Sequence, residues 1–273
     1  MFYPKIKTML KTKVLTTALC FISVYATPEI YHPSSGKTPH VRLDKATANA
    51  PVIKMNRHEQ KFASQYIRIN MDDLNEIRQR SNTPFAIMDS IFSRYGLPVE
   101  LKYLAVIESD LKTSALSRVG AAGPWQLMPG TARLLGLKVG RHYDERGNYY
   151  KSTRAAAKYI KDLYSEFGDW LLVLAAYNGG PAPIYKAIRK SGSRNFWALQ
   201  SYLPAETRGH VKRYIATHYF FEGQGSLTTL TRSENIEYAR AMQAYEKSQK
   251  EYRYNEVGGP VAYADIIGLS SAL

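Results

Sequence analysis

The chain has 273 residues, with 37 Lys or Arg against 23 Asp or Glu, a formal net charge of +14. At 45% hydrophobic and 22% charged it has the composition of a folded chain, which excludes a disordered or fibrous protein, and its length fits one medium domain with appendages or two small ones. One Cys excludes a disulfide scaffold and multi-cysteine metal sites, while the basic excess favours an acidic partner: nucleic acid, anionic lipid or an anionic polymer.

In chain order, residues 1–26 read as a secretory signal peptide. Lys5, Lys7, Lys11 and Lys13 form a positive head, Val14 to Val24 is an apolar stretch short for a membrane span, and Val24-Tyr25-Ala26 ends in small residues suited to cleavage. Retention as an anchor, or lipidation at Cys20, are the alternatives. Cleavage after Ala26 removes four lysines and no acid, leaving +10. Residues 27–57, rich in Pro, Thr, Ser and Lys, read as a linker or loose tail. From residue 58 the pattern is helical. His58 to Arg80 is polar but helix-compatible, and Thr83-Pro84 offers a cap and a first-turn proline for a helix burying Phe85, Met88, Ile91, Phe92 and Tyr95.

Pro98 is expected to start a helix whose run Leu101 to Ile107 is apolar almost all round. A short helix follows from Pro129 to Leu135, and Ser152-Thr153 is expected to cap one that ends at Gly168. Trp170 to Tyr177 is apolar on every face and so predicts a core helix, stopping at Asn178-Gly179-Gly180-Pro181. Further helices are expected from about Ala182 to Lys190, from Pro204 to about Phe221, and from Ser233 to Tyr254. No strand of useful length appears, so the body, residues 58–222 with its core at 85–222, is predicted to be all-α, and residues 223–273 form an extension with no assigned role.

Four places could carry chemistry. Glu108 continues the buried stripe Leu101, Leu104, Ala105 at helical spacing. Burial disfavours a carboxylate's charged form, which is what a general acid working near neutral pH needs. Placed instead at a fraying helix end, the same residue would simply face water beside Ser109 and Asp110. Gly120-Ala121-Ala122-Gly123-Pro124 is a small-residue turn followed by Trp125, Gln126 and Met128. It suits close approach to a ligand, or merely a tight interhelical turn around a core Trp. Tyr177 and Asn178 leave a buried helix together, either aimed into a cleft or serving only as a C-terminal cap. Glu206 sits in a helix's first turn, where an acid suits the helix dipole.

In this order and spacing the pieces resemble bacterial lytic murein transglycosylases with a soluble-lytic-transglycosylase (goose-lysozyme-like) domain, closest to the membrane-bound D type. The match runs through Gly96-Leu-Pro-Val-Glu-Leu-Lys-Tyr-Leu-Ala-Val-Ile-Glu108-Ser109 and Ala115-Leu-Ser117-Arg-Val-Gly120-Ala-Ala-Gly-Pro-Trp-Gln126-Leu-Met128-Pro-Gly-Thr131. It continues in Tyr143-Asp-Glu-Arg146, Ser152-Thr153, Ala175-Ala-Tyr177-Asn178-Gly-Gly-Pro181 and Leu203-Pro-Ala-Glu206-Thr-Arg-Gly. Pro124 departs from the residue, such as Leu, that the family usually has there, and residues 223–273 do not resemble the C-terminal wall-binding repeats of many D-type members.

The resemblance implies a lysozyme-like helical catalytic domain in an exported, periplasmic enzyme. Its substrate would be peptidoglycan glycan strands, cut at the β-1,4 bond between N-acetylmuramic acid and N-acetylglucosamine with a 1,6-anhydromuramyl product and no cofactor. It further implies Glu108 as acid and then base, with Ser109, Ser117, Gln126, Met128, Tyr177, Asn178 and Glu206 around the sugar. Three rivals stay open: a hydrolytic lysozyme- or chitinase-like enzyme on the same fold, a non-catalytic wall-binding protein, and a nucleic-acid binder suggested by charge alone. The last lacks a recognisable motif and is at odds with export. A metal enzyme is disfavoured because the six His show no ligand spacing. Association with membrane or wall machinery is left open.

Overall fold

A computed structural model describes residues 50–256; the signal peptide and most of the linker read from the sequence lie outside the described residues. Two helices occupy the polar first stretch, α1 (Arg57–Ile69) and α2 (Met71–Arg80), parted at Asn70, whose side-chain amide donates to the Tyr66 carbonyl at 2.7 Å. Helix α3 (Asn82–Tyr95) starts two residues earlier than its Thr83-Pro84 signal suggests, from Ser81. Pro84 is buried inside the first turn, where the amide it lacks would have no helical partner anyway.

The helix expected from Pro98 divides into a 3-10 turn, Val99–Lys102, and the short α4 (Tyr103–Ser109). After α5 (Pro129–Leu134) comes α6 (Tyr149–Phe167), capped by Asn148, whose side chain accepts from the Lys151 amide at 2.9 Å. The expectation that Ser152-Thr153 caps it is thus corrected. Both are fully buried one turn inside, because they face the core: the Ser152 hydroxyl bonds back to the Asn148 carbonyl and the Thr153 hydroxyl is held by Trp125. The remaining helices are α7 (Trp170–Gly179), α8 (Pro181–Ser191), α9 (Phe196–Leu199), α10 (Ala205–Glu222) and α11 (Arg232–Glu256). Among the described residues the only β pairing is isolated bridges, so the all-α expectation is borne out. No helix of the described residues is long and apolar enough to cross a membrane.

Helix α7 is the centre of the body. Trp170 to Ala176 are buried on every side, with α6, α8 and α10 packed around it. Each buried leucine there contributes about 1.5–3 kcal/mol relative to exposure. Helix α10 in turn packs against α1 and α4, so its side chains reach the end of α4.

The start of the C-terminal extension joins this body. Tyr214 on α10 donates to the Thr228 hydroxyl at 2.8 Å. Asp169 caps α7 by accepting from the Leu172 amide at 3.1 Å and accepts with its other oxygen from the Arg232 amide at 2.6 Å. Burial is the main reason the Asp169 carboxyl is raised above the usual carboxylate range.

Candidate active site

Glu108 lies in the last turn of α4, one residue before its end. Asp110 and Leu111 follow with left-handed backbone, φ 52° and 62°, and their amides donate to the Val106 and Ala105 carbonyls. This turns the chain abruptly and leaves the Glu108 side chain 15% exposed, facing neither bulk water nor a dry core. Such backbone is costly for residues other than glycine. Among the described residues the third non-glycine of this kind is Gln126, φ 45°, in the segment packed against the same end of α4.

That segment, residues 115–127, is fastened to the body by side chains. Ser109 donates to the Pro124 carbonyl at 3.0 Å, tying the turn directly to the residue after Glu108. Arg146, itself buried, donates to the Gly120 and Leu127 carbonyls at 2.7 and 2.8 Å and grips Asp144 through Nε and Nη2. The guanidinium holds the Asp144 carboxyl below its usual range. Gly123 has φ 76°, and a Cβ there would lie 1.9 Å from the Arg146 carbonyl oxygen, so only glycine fits. Trp125 is fully buried and donates through Nε1 to Thr153 at 2.9 Å.

From the other side come α7 and α10. The Tyr177 hydroxyl donates to the Trp125 carbonyl at 2.7 Å, and its ring leans on Tyr159, centroids 5.5 Å apart. Burial foremost, and then the Glu108 carboxylate, push the Tyr177 phenol well above its ordinary range, so it stays protonated. The Asn178 side-chain carbonyl accepts from the Thr207 hydroxyl at 3.0 Å. Gly179 allows this approach, since a Cβ there would lie 2.7 Å from the Thr207 hydroxyl oxygen.

One turn along α10 from Thr207 is His210, 1% exposed. Its Nε2 lies 2.8 Å from the Glu108 Oε1, and its Nδ1 is buried with no hydrogen-bond partner.

Of the residues singled out from the sequence, Glu108, Ser109, Gln126, Tyr177 and Asn178 lie on the segments that converge here. Gln126 turns its amide group inward, onto the Gly123 carbonyl at 2.9 Å. Ser117 accepts from the Ala121 amide at 2.9 Å and so closes the 117–121 turn. Met128 is 43% exposed just before α5, and Glu206 is exposed in the first turn of α10. His210 was not anticipated. It is one of six His without ligand spacing, and its partner is 102 positions away. The only local signal was a histidine placed four residues before Tyr214 on a helix that packs on the core.

Comparison with known proteins points the same way as the motifs. Residues 91–200 match the family described as the transglycosylase SLT domain. The chain is 37% identical over 157 residues to membrane-bound lytic murein transglycosylase D of Escherichia coli K12, covering 56% of this chain and 34% of that protein. It is 31% identical over 151 residues to the soluble lytic murein transglycosylase of Salmonella typhimurium, covering 50% and 23% respectively. The crystal structure of the 70 kDa soluble lytic transglycosylase of E. coli aligns with a TM-score of 0.45 and 26% identity over 53% of this chain and 26% of that one. The chain thus spans about a third of the length of the first of these relatives. The resemblance read from the motifs is borne out by the domain match and by the relatives' names.

Proposed function

We propose that this chain is a lytic transglycosylase acting on peptidoglycan strands, with Glu108 as its single proton-handling carboxyl. The observation that carries the reading is the half-sheltered Glu108 at the meeting point of α4, the 115–127 segment, α7 and α10, in the part of the chain that matches a transglycosylase domain.

Protonated Glu108 gives its proton to the oxygen leaving C1 of N-acetylmuramic acid as the C1–O bond breaks. The carboxylate then takes the proton from the C6 hydroxyl as that oxygen closes on C1, forming the 1,6-anhydro ring. One group serves both steps by microscopic reversibility, and no water is consumed. Asp110, the nearest carboxylate in sequence, has a half-exposed side chain ion-paired to Lys112 at 3.0 Å. The missing second carboxylate is supplied in function by the substrate's own N-acetyl group. Tyr177 spends its hydroxyl proton on Trp125, so it braces the wall of the site and offers sugar only its oxygen lone pair. Asn178 keeps its amide nitrogen for the substrate while Thr207 fixes its carbonyl. Ser109, Ser117 and Gln126, bonded within the protein, shape the 115–127 wall of the proposed sugar site, and Met128 and Glu206, both exposed, are proposed to meet the sugar. Export to the periplasm rests on the pattern of residues 1–26.

The test is product analysis by mass spectrometry on purified wall. The wild-type chain should release anhydro-ended muropeptides and Glu108→Gln should release about 100-fold fewer or none, since the amide keeps shape but has no proton to give. Reducing ends instead of anhydro ends would make the enzyme a hydrolase, and near-normal release by Glu108→Gln would remove Glu108 from the mechanism.

A further inference from the structure

We infer that His210 is a positioning residue for the reaction: its buried imidazole pins Glu108 Oε1 through Nε2 and confines the travelling proton to Oε2. The inference rests on Glu108 being the acid and base.

The His210 ring is enclosed, and its contact with Glu108 is through Nε2 at 2.8 Å. Its other nitrogen, Nδ1, is buried and unpartnered. A proton on Nδ1 would be a buried donor with nothing to accept it, which is expensive. The neutral ring with its proton on Nε2 leaves only a bare lone pair at Nδ1, and it makes Nε2 a donor to Oε1. This assigns the tautomer from the hydrogen-bond pattern.

The assignment divides the labour of the carboxyl. Oε1 accepts from Nε2–H whether Glu108 is ionised or not, because a carboxylic acid keeps one carbonyl oxygen as an acceptor. Oε2 has no protein hydrogen bond among the described residues, so it is the oxygen that carries the proton to the glycosidic bond and takes it back from the C6 hydroxyl. Facing this carboxyl are His210 from α10, whose Nδ1 has no partner to pass a proton to, and Tyr177 from α7, whose phenol is held protonated. The pair is therefore no relay. A relay that carried protons to solvent would serve hydrolysis, whereas the ring-closing reaction returns to Glu108 the proton it gave. A fixed rotamer for the acid is also what both half-reactions share.

The test uses the whole chain with soluble, uncrosslinked glycan strands as substrate. His210→Phe fills the space without a donor. His210→Gln returns an amide N–H near the position of Nε2. The Phe variant should lose about 100-fold in kcat with KM changed little, because a slightly misplaced acid still binds substrate, and the Gln variant should recover much of that loss. A Phe variant with wild-type kcat, or a Gln variant no better than Phe, overturns the role. Should the Phe variant fail to fold, nitrogen-15 NMR of the wild-type ring decides. A pyrrole-type Nε2 with a pyridine-type Nδ1 at pH 7 supports the role, and a protonated Nδ1 overturns it. If Glu108→Gln is inactive while His210→Phe is normal, only the positioning role fails. If Glu108→Gln is active, the proposed function fails first.

Discussion

A Cβ at Gly123 would coincide with the Arg146 carbonyl, which makes this glycine a sharp probe of how the site is held. Gly123→Ala combines a left-handed alanine with a backbone collision, and should destabilise the fold by about 3 kcal/mol or more. Urea unfolding measures it; a variant as stable as the parent would mean that the 115–127 segment can move off Arg146 at little cost. At this scale the sequence was a partial guide. Glu108 stood out because a carboxylate interrupts an apolar stripe, and Tyr177 and Asn178 because polar groups emerge where a buried helix ends. What each polar group is bonded to was not legible. The Tyr177 hydroxyl goes to a carbonyl 52 residues away and Glu108 to a histidine 102 residues away, and no local pattern encodes such partners. The departure at Pro124 is better understood with the structure: its carbonyl is the acceptor for Ser109, and a proline retains that carbonyl.

Helix α10 carries two buried histidines, His210 against Glu108 and His218 two turns later. His218 is buried, bonded through Nε2 to Ser226 at 2.9 Å, and surrounded by Tyr103 and Glu222, with Lys102 nearby. Burial foremost pushes it down to about 4 from 6.5. The fold therefore binds fewer protons than the unfolded chain between these values. Stability is full above about pH 6.5 and falls as pH drops toward 4, by about 3 kcal/mol for this one residue. Urea unfolding at pH 7 and pH 4.5 should show a clearly smaller loss for His218→Gln than for the parent; equal losses would mean that the ring is hydrated or already charged. Element identity was mostly readable, since buried helices such as α7 declare themselves by apolar faces. Element starts were less so. Ser152-Thr153 looks like a cap by composition, yet the core claims both side chains and Asn148 does the capping. Asn70 and Pro98 mark the break and the 3-10 turn, but a lone Asn or Pro does not by itself fix either boundary.

For the whole molecule, charge decides how it meets a polymer before any site engages. A chain at +14, or +10 without its first 26 residues, should bind anionic wall fragments through a screened, long-range attraction. Pull-down with purified wall at 50 and 500 mM salt should show markedly weaker retention at the higher salt, for Glu108→Gln as well as for the parent; unchanged retention would separate the charge from wall binding. The sequence turns polar after residue 222, which predicts the end of the body there. The structure places the following segment on the body through Thr228, Arg232 and Glu234, the last of which accepts from the Trp197 indole at 3.1 Å.

The contact between Gly179 and Thr207 couples two positions in sequence space. An alanine at 179 fits only if Thr207 rotates its hydroxyl away or is replaced by a residue without one, and either change costs Asn178 its fixed carbonyl. Serine at 207 relieves the contact only by rotating its hydroxyl away, with the same loss at Asn178. A side chain at 179 should therefore be tolerated only after a change at 207, whereas position 207 can change while Gly179 stays.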